Sequence, residues 1–281
     1  MKNLGYYNGK FGELEDMTIP MNDRVCYFGD GVYDATYSEN YKIYALDDHI
    51  NRFYNSAKVL DINIPHTKEE MKALLYEMVN KVDTGELFVY WQATRGTGIR
   101  NHTYEPNTTA NIWVVLKPAR IKDVTKKLKV ITMEDTRFFH CNLKTLNLIP
   151  AVVASQKAAS LGCDETILHR GDRVTECAHS NVSILKDGKL ITAPCDNLIL
   201  PGITRKHIIS MCNKLGIPVD ETPFTVQELF TADEVVISSA GQLAIGVSHI
   251  DEKPVGGKAP ELLKKIQDAL LEEYHEETRA D

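Results

Sequence analysis

The sequence predicts an α+β chain in two domains. Three observations lead there: amphipathic helical spacing near both ends, β-branched and aromatic runs punctuated by hairpin signals, and a polar stretch at 117–127 without core-facing periodicity. That stretch, KPARIKDVTKK, sets the expected boundary. A smaller N-terminal α/β domain is expected over 1–118. A larger, β-rich C-terminal domain with flanking helices is expected over 119–281.

The elements follow in chain order. Over 47–60 (DDHINRFYNSAKVL), Ile50, Phe53, Tyr54, Ala57 and Leu60 share one helical face, with an aspartate available to cap the start. Thr67 and Glu70 form a capping-box signature ahead of Met71, Leu74, Leu75 and Met78, which predicts a second helix. The runs LFVYWQATR (87–95) and ANIWVVLK (110–117) flank a Gly/Asn/Pro-rich loop and read as paired strands. Beyond the linker come a strand, LKVITMED, and a helix, PAVVASQKAASLG, which Gly162 terminates. ETILHR, RVTECAHSNVSIL and KLITAP read as strands separated by RGD and KDGK, the Asp-Gly pair marking a hairpin. A helix at about 204–215 ends near Gly216, DEVVISSAG reads as another strand, and APELLKKIQDALLEEYHEE as a terminal amphipathic helix.

Composition narrows the function classes. A chain of 281 residues suffices for a sizeable core, and its 43% hydrophobic and 25% charged residues are ordinary globular usage. No apolar run approaches the about 20 residues of a membrane-spanning helix. The formal charge of -7, with both signs interspersed, argues against a nucleic-acid partner. The N-terminus lacks the apolar core of a signal peptide, so a cytoplasmic location is expected. The six cysteines are widely spaced without a CxxC pair, a poor pattern for zinc; no metal is expected, and the thiols read as buried, reduced side chains.

Five stretches carry potential chemistry, each with a plain alternative. In HCNLKTLNLIP, Lys144 lies among leucines: either its stem is buried and its head snorkels to water, or the amine is desolvated and suited to Schiff-base chemistry. In NLILPGITR, a Pro-Gly turn delivers Ile203 and Thr204 to a helix start, which is either an ordinary capped end or an anion cup. Glu176 in VTECAHSN is either an exposed strand residue or a buried carboxylate needing a cation or donor. The loop RGTGIRNH gathers Arg95, Arg100 and His102, either as a solvated basic loop or as a carboxylate-binding fork. YFGDGVY presents Tyr33 after a tight turn, and Arg52 lies on the following helix.

In this order, YFGDGVY, DDHINRF, RGTGIRNH, CNLKTLNL, GCDETILHR, VTECAHSNV and LPGITR resemble the class IV, fold type IV aminotransferases that use pyridoxal 5'-phosphate. Within that family the Arg-x-His pair resembles the branch acting on D-amino acids. The resemblance implies a two-domain fold with the cofactor between the domains, and a homodimer with its active site at the subunit interface. It implies that Lys144 holds the cofactor and moves the proton, and that Glu176 pairs with the pyridine nitrogen. Arg52, Ile203, Thr204, Ser239 and Ala240 match the phosphate anchors, and Tyr33, Arg100 and His102 the substrate-carboxylate trap, supplied partly by the neighbouring subunit. The implied reaction is ping-pong transamination between D-amino acids of the D-alanine and D-glutamate type and 2-oxo acids. Branched-chain L-aminotransferases, (R)-amine transaminases and aminodeoxychorismate lyases share the fold and are the alternatives, as is a non-catalytic, cofactor-binding homologue. Two positions depart from the pattern: Ala240 stands where a hydroxyl is usual, and Ala178 and His179 interrupt a serine-rich run.

Overall fold

A computed structural model describes residues 2–280. The described residues divide into two compact units: 2–120 with 143–147 and 274–280, and 121–142 with 148–273.

The N-terminal unit is a six-stranded antiparallel sheet with helices. Its elements are β1 (Leu4–Tyr7), β2 (Lys10–Gly12), α1 (Arg24–Phe28), β3 (Gly31–Glu39), β4 (Lys42–Ile43), α2 (Leu46–Val59), α3 (Lys68–Val79), β5 (Leu87–Thr94) and β6 (Asn111–Pro118), in the strand order β2-β1-β6-β5-β3-β4. The expected β5–β6 hairpin forms, Trp91 opposite Val114. Ile50, Phe53 and Ala57 of α2 and Met71, Leu75 and Met78 of α3 pack with Val89, Trp91 and Val114 of the sheet in one buried cluster, which is what the helical spacing dictated.

The capping box of α3 is present in full. No aspartate caps α2. Its N-cap is Ala45 in the left-handed region, and the Ala45 N–H donates to the Glu277 carboxylate at 2.9 Å; Asp47 and Asp48 lie in the first turn, where their charge suits the helix dipole. A cap supplied from 232 residues away is invisible to a local pattern.

The C-terminal unit is built on β7 (Leu128–Glu134), α4 (Ile149–Ser160), β8 (Glu165–Arg170), β9 (Arg173–Cys177), β10 (Asn181–Lys186), β11 (Lys189–Thr192), α5 (Ile203–Lys214), β12 (Val219–Asp220), α6 (Val226–Thr231), β13 (Glu234–Ser239), β14 (Leu243–Ile250), β15 (Lys253–Pro254) and α7 (Pro260–Glu277), whose last residues group with the N-terminal unit. The nine strands run in the order β12-β11-β10-β13-β14-β7-β8-β9, with β15 on β14. Pairings β14–β7, β7–β8 and β11–β12 are parallel. Val236 and Ala244 of this sheet pack with Ile208, Met211 and Cys212 of α5 and Leu263, Ile266 and Leu270 of α7.

The run RVTECAHSNVSIL is two strands, not one. Cys177 N–H donates to the Ser180 carbonyl at 2.7 Å, closing a turn between β9 and β10. The Asp187-Gly188 hairpin forms as expected, both residues having positive φ (51° and 73°), the conformation this turn requires.

Lys144 was expected in the C-terminal domain, but 143–147 groups with the N-terminal unit. The reason is backbone pairing. β4 covers only the end of β3, at Ser38–Glu39, which leaves the first half of that edge open. Residues 144–146 fill it: Tyr33 N–H donates to the Lys144 carbonyl (3.0 Å), Leu146 N–H to the Gly31 carbonyl (3.1 Å), and Val32 bridges Thr145. Gly31 is needed here, because a Cβ would lie 2.7 Å from Leu146 Cδ1 and 2.6 Å from the Ala93 carbonyl oxygen.

Candidate active site

In the N-terminal unit, this edge pairing fixes Lys144. Residues facing each other across antiparallel strands share a sheet face, so Lys144 lies beside Tyr33. Lys144 Nζ is 4.3 Å from the Tyr33 ring centroid, and the Tyr33 ring stacks on Tyr90 at 5.5 Å. Lys144 N–H donates to Ser56 Oγ of α2 at 3.2 Å, so its backbone is held from two elements. The irregular leucine run is thus a short edge strand that presents one amine. Leu146 is half-buried on the same face, but Leu148 is 38% exposed and lies beyond the paired segment.

Arg52 reaches the other face of β3. Strand alternation buries Asp34, and α2 lays His49 and Arg52, three residues apart, over it. Arg52 Nε and Nη2 donate to Asp34 Oδ2 and Oδ1 at 2.9 and 2.7 Å, a bidentate pair, and His49 Nδ1 lies 2.7 Å from Asp34 Oδ1. Burial alone would raise the Asp34 pKa, but Arg52 and His49 override it and hold the carboxyl well below the usual range. Burial also pushes His49 down, against the pull of Asp34. Asp34 and His49 were missed in the sequence; the signal was an acid inside a strand of buried residues opposite an i, i+3 pair of basic residues.

The loop after β5 divides its basic residues. Arg95 is buried: its Nε donates to both Asp30 oxygens (3.0 and 2.9 Å), Nη1 and Nη2 donate to the Asp61 and Leu60 carbonyls, and Tyr104 covers it at 3.9 Å. It braces the loop and belongs to no open fork. Arg100 and His102 are exposed and meet on Phe28, at 5.5 and 5.2 Å from its ring centroid. Among the described residues, no hydrogen bond, ion pair or ring contact joins either of them to Tyr33.

In the C-terminal unit, Glu176 is buried at 5% exposure. Arg137 Nη1 donates to Oε1, and Asn181 Nδ2 (2.9 Å) and Leu200 N–H (3.1 Å) donate to Oε2. This settles the alternatives for Glu176: it is a buried, charge-paired acid. Arg137 in turn donates through Nε (3.0 Å) and Nη2 (2.9 Å) to Asp135, which also accepts from Thr175 Oγ1 and Arg170 Nε. Burial works against the Arg137 charge, but Asp135 and Glu176 hold it firmly protonated. His179 Nδ1 sits 2.9 Å from the buried Glu165 Oε2, which Ser180 Oγ also engages at 3.0 Å.

Ile203 and Thr204, both buried, open α5 behind Gly202, an N-cap without a side-chain cap. Twelve residues of helix therefore present their first N–H groups and dipole to whatever lies beyond Gly202. Gly202 lies against Asn181, and a Cβ there would be 1.9 Å from Asn181 Oδ1. Gly202→Ala is therefore expected to displace Asn181 and with it a donor to Glu176, costing about 1–3 kcal/mol as overpacking does. A urea midpoint unchanged from the parent would contradict this.

Ser238 faces α5. It pairs with Asn181 and Ala244 across β10 and β14, and two residues back Val236 packs on α5, so strand alternation puts Ser238 on the helix side and Ser239 on the other. The buried Ser238 Oγ has no hydrogen-bond partner among the described residues. Ala240 occupies the turn after β13, closed by Gln242 N–H donating to the Ser239 carbonyl at 3.0 Å.

Pyridoxal 5'-phosphate calls for an amine, an acid for its ring nitrogen and donors for its phosphate. The residues fit: a half-buried amine pinned at its backbone, a buried acid paired with an arginine, and an uncapped helix start with the Thr204 hydroxyl and the orphaned Ser238 hydroxyl.

Comparisons with known proteins agree on one family. The family model for amino-transferase class IV matches residues 31–250. The chain is 42% identical over 276 residues to the D-alanine aminotransferase of Listeria monocytogenes serotype 4b (strain F2365), covering 95% of this chain and 94% of that one. It is 36% identical over 277 residues to the D-alanine aminotransferase of Bacillus licheniformis, covering 97% of each. Among solved structures, the T.th. branched-chain amino acid aminotransferase with pyridoxamine 5'-phosphate superposes with a TM-score of 0.88 at 25% identity, over 97% of this chain and 96% of that one.

Proposed function

Because the chain belongs to the class IV aminotransferases, we propose that it transfers the amino group of D-amino acids, of the D-alanine and D-glutamate type, to 2-oxo acids through pyridoxal 5'-phosphate by a ping-pong route. The observation that carries this reading is the 42% identity, along nearly the full length of both chains, to a protein named D-alanine aminotransferase. The 25% identical branched-chain neighbour supports the fold and the cofactor; the substrate side rests on the more similar relatives.

When bound, the cofactor supplies an electron-withdrawing ring that stabilises negative charge at the substrate Cα. Lys144 Nζ would hold it covalently and, when free, would be the base that moves the substrate Cα proton. Glu176 accepts from the ring nitrogen and keeps it protonated. Arg52, the Ile203 N–H, Thr204 and the Ser239–Ala240 turn anchor the phosphate, with Ser238 as an added donor. Arg100 and His102 hold the substrate carboxylate and Tyr33 lines the amine side, so that one face of Cα–H meets the base. An arginine with an imidazole suits a carboxylate through charge-assisted, geometrically fixed hydrogen bonds.

We take the trap to be completed in a homodimer. The absence of a contact between Tyr33 and the Arg100–His102 pair within one chain supports this. So do Ile149, Val152 and Val153, exposed apolar side chains at i, i+3 and i+4 on one face of α4. Six free cysteines, three of them buried, support a reducing, cytoplasmic setting.

The test compares D-alanine, L-leucine and (R)-phenylethylamine as amine donors, following the absorbance of the bound cofactor and then pyruvate or 2-oxoglutarate turnover. D-alanine is expected to bleach it and to outpace the others by at least about a hundredfold, the discrimination a built polar site supplies. Turnover of L-leucine alone would make the branched-chain reading correct and remove the role given to Arg100 and His102.

A further inference from the structure

Glu176 accepts from three donors, and one of them is a cation. Arg137 lies just beyond β7, its side chain only 12% exposed, and it bridges two acids: Asp135, fully buried, and Glu176. Asp135 orients it. Arg137 N–H and Nε both donate to Asp135 Oδ1 at 3.0 Å, Nη2 donates to Oδ2 at 2.9 Å, and Thr175 Oγ1 and Arg170 Nε brace the same carboxylate at 3.0 and 3.2 Å. Nη2 also donates to the Leu198 carbonyl at 3.2 Å. The guanidinium is therefore locked before it meets Glu176. The formal charges of Asp135, Glu176, Arg137 and Arg170 cancel, so the acid reaches the site as a carboxylate compensated by a fixed cation.

We propose that Arg137 is a positioning residue that decides where the proton between Glu176 and the cofactor's ring nitrogen resides. The proposal rests on the function given above. An unpaired buried acid is a strong base, because burial disfavours its charge; facing a ring N–H it would take the proton and leave the ring neutral. A cation in contact with one carboxylate oxygen, as Arg137 is with Oε1, lowers that basicity by about 1–3 pKa units. Asn181 and the Leu200 N–H act in the same direction from Oε2. The proton then stays on the ring, where the positive charge draws electrons from the substrate Cα. Glu176 supplies the contact, and Arg137 sets its strength as a base.

The test uses Arg137→Gln and Arg137→Lys holoenzymes loaded with pyridoxal 5'-phosphate labelled with 15N in the ring. The 15N chemical shift of the wild type is expected at the protonated position. In Arg137→Gln it moves toward the neutral position, kcat falls about 10- to 100-fold, matching a one- to two-unit change in Glu176 basicity, and KM for D-alanine stays within about threefold. Arg137→Lys keeps the charge but not the fork, and falls between. Titration of the apoprotein with cofactor reports the ring contact separately, and Kd is expected to weaken in the order wild type, Lys, Gln. Should the glutamine variant fail to fold, the lysine variant decides on the same shift and Kd. A wild-type 15N shift and kcat in either folded variant overturns the role of Arg137 and leaves the transaminase reading standing. A wild type that binds the cofactor with a protonated ring yet turns over none of the three amine donors overturns the function, while the shift still reports on Arg137.

Discussion

Lys144→Ala is expected to give a folded, colourless protein whose D-alanine turnover is lowered at least about 10⁴-fold, the upper range for a positioned proton carrier. One amine is proposed to do two jobs, so its loss removes both the covalent attachment and the base. The geometry favours this over a snorkelling side chain. Snorkelling needs only a stem along an apolar surface and a head in water, with no demand on the backbone. Here the backbone is fixed on three sides, by Tyr33 N–H, by Ser56 Oγ and through the Leu146 N–H bond to Gly31, and Nζ lies over an aromatic face. Borohydride reduction of the wild type followed by peptide mass mapping should place the cofactor mass on the peptide carrying Lys144. Mass on another lysine, or wild-type turnover in the alanine variant, would defeat the assignment. Thermal melting of the variant near the wild-type value separates lost chemistry from lost structure, since removing one half-buried side chain from an edge segment costs little packing.

What the sequence disclosed and what it withheld divide along locality. The helices α2, α3 and α7 and the β5–β6 hairpin were legible because their apolar residues repeat within a few positions and their signals are local. Residues 143–147 were not, because their structure is set by an edge of β3 over a hundred positions away, and nothing in CNLKTLNL encodes a partner. The candidate site shows the same split. Lys144, Glu176 and Thr204 stood out through residue type in an unusual setting, or through a turn ahead of a helix. Their supports did not: Arg137 lies in the aperiodic stretch DTRFFHC, Asp34 in a strand absent from the pattern reading, and Ser238 was passed over for Ser239 because alternation assigns faces only once the strand's register is known. Groups that act through partners are recognised by those partners, and the partners are brought by the fold.

Asp34→Asn is expected to be the most destabilising single change among the polar residues, at about 3–5 kcal/mol, the cost of removing one member of a buried ion pair. At about 2–4 °C per kcal/mol for a unit of this size, Tm falls on the order of 10 °C. Asp34 is fully buried and is the common acceptor for Arg52 and His49, so an amide in its place leaves the guanidinium, itself 9% exposed, without its counter-charge. The sign of the pH dependence follows. The folded-state pKa of Asp34 lies below its unfolded value of about 3.9, so its contribution is complete above that value and is lost as pH falls through and below it. His49 adds to the same slope from a higher start: burial lowers its folded pKa, so protonation below its unfolded value of about 6.5 favours the unfolded chain. The wild type is therefore expected to lose stability from about pH 6.5 downward and more steeply below about pH 4, and Asp34→Asn to lose the acidic part of that slope. Under the role proposed for Arg52, phosphate anchoring draws on the same pair, because Asp34 sets the plane and direction of the Arg52 fork. Cofactor affinity should therefore weaken in Asp34→Asn even at temperatures where the variant is folded. Wild-type Tm at pH 7 together with wild-type cofactor Kd would show that Asp34 neither stabilises the unit nor aims Arg52.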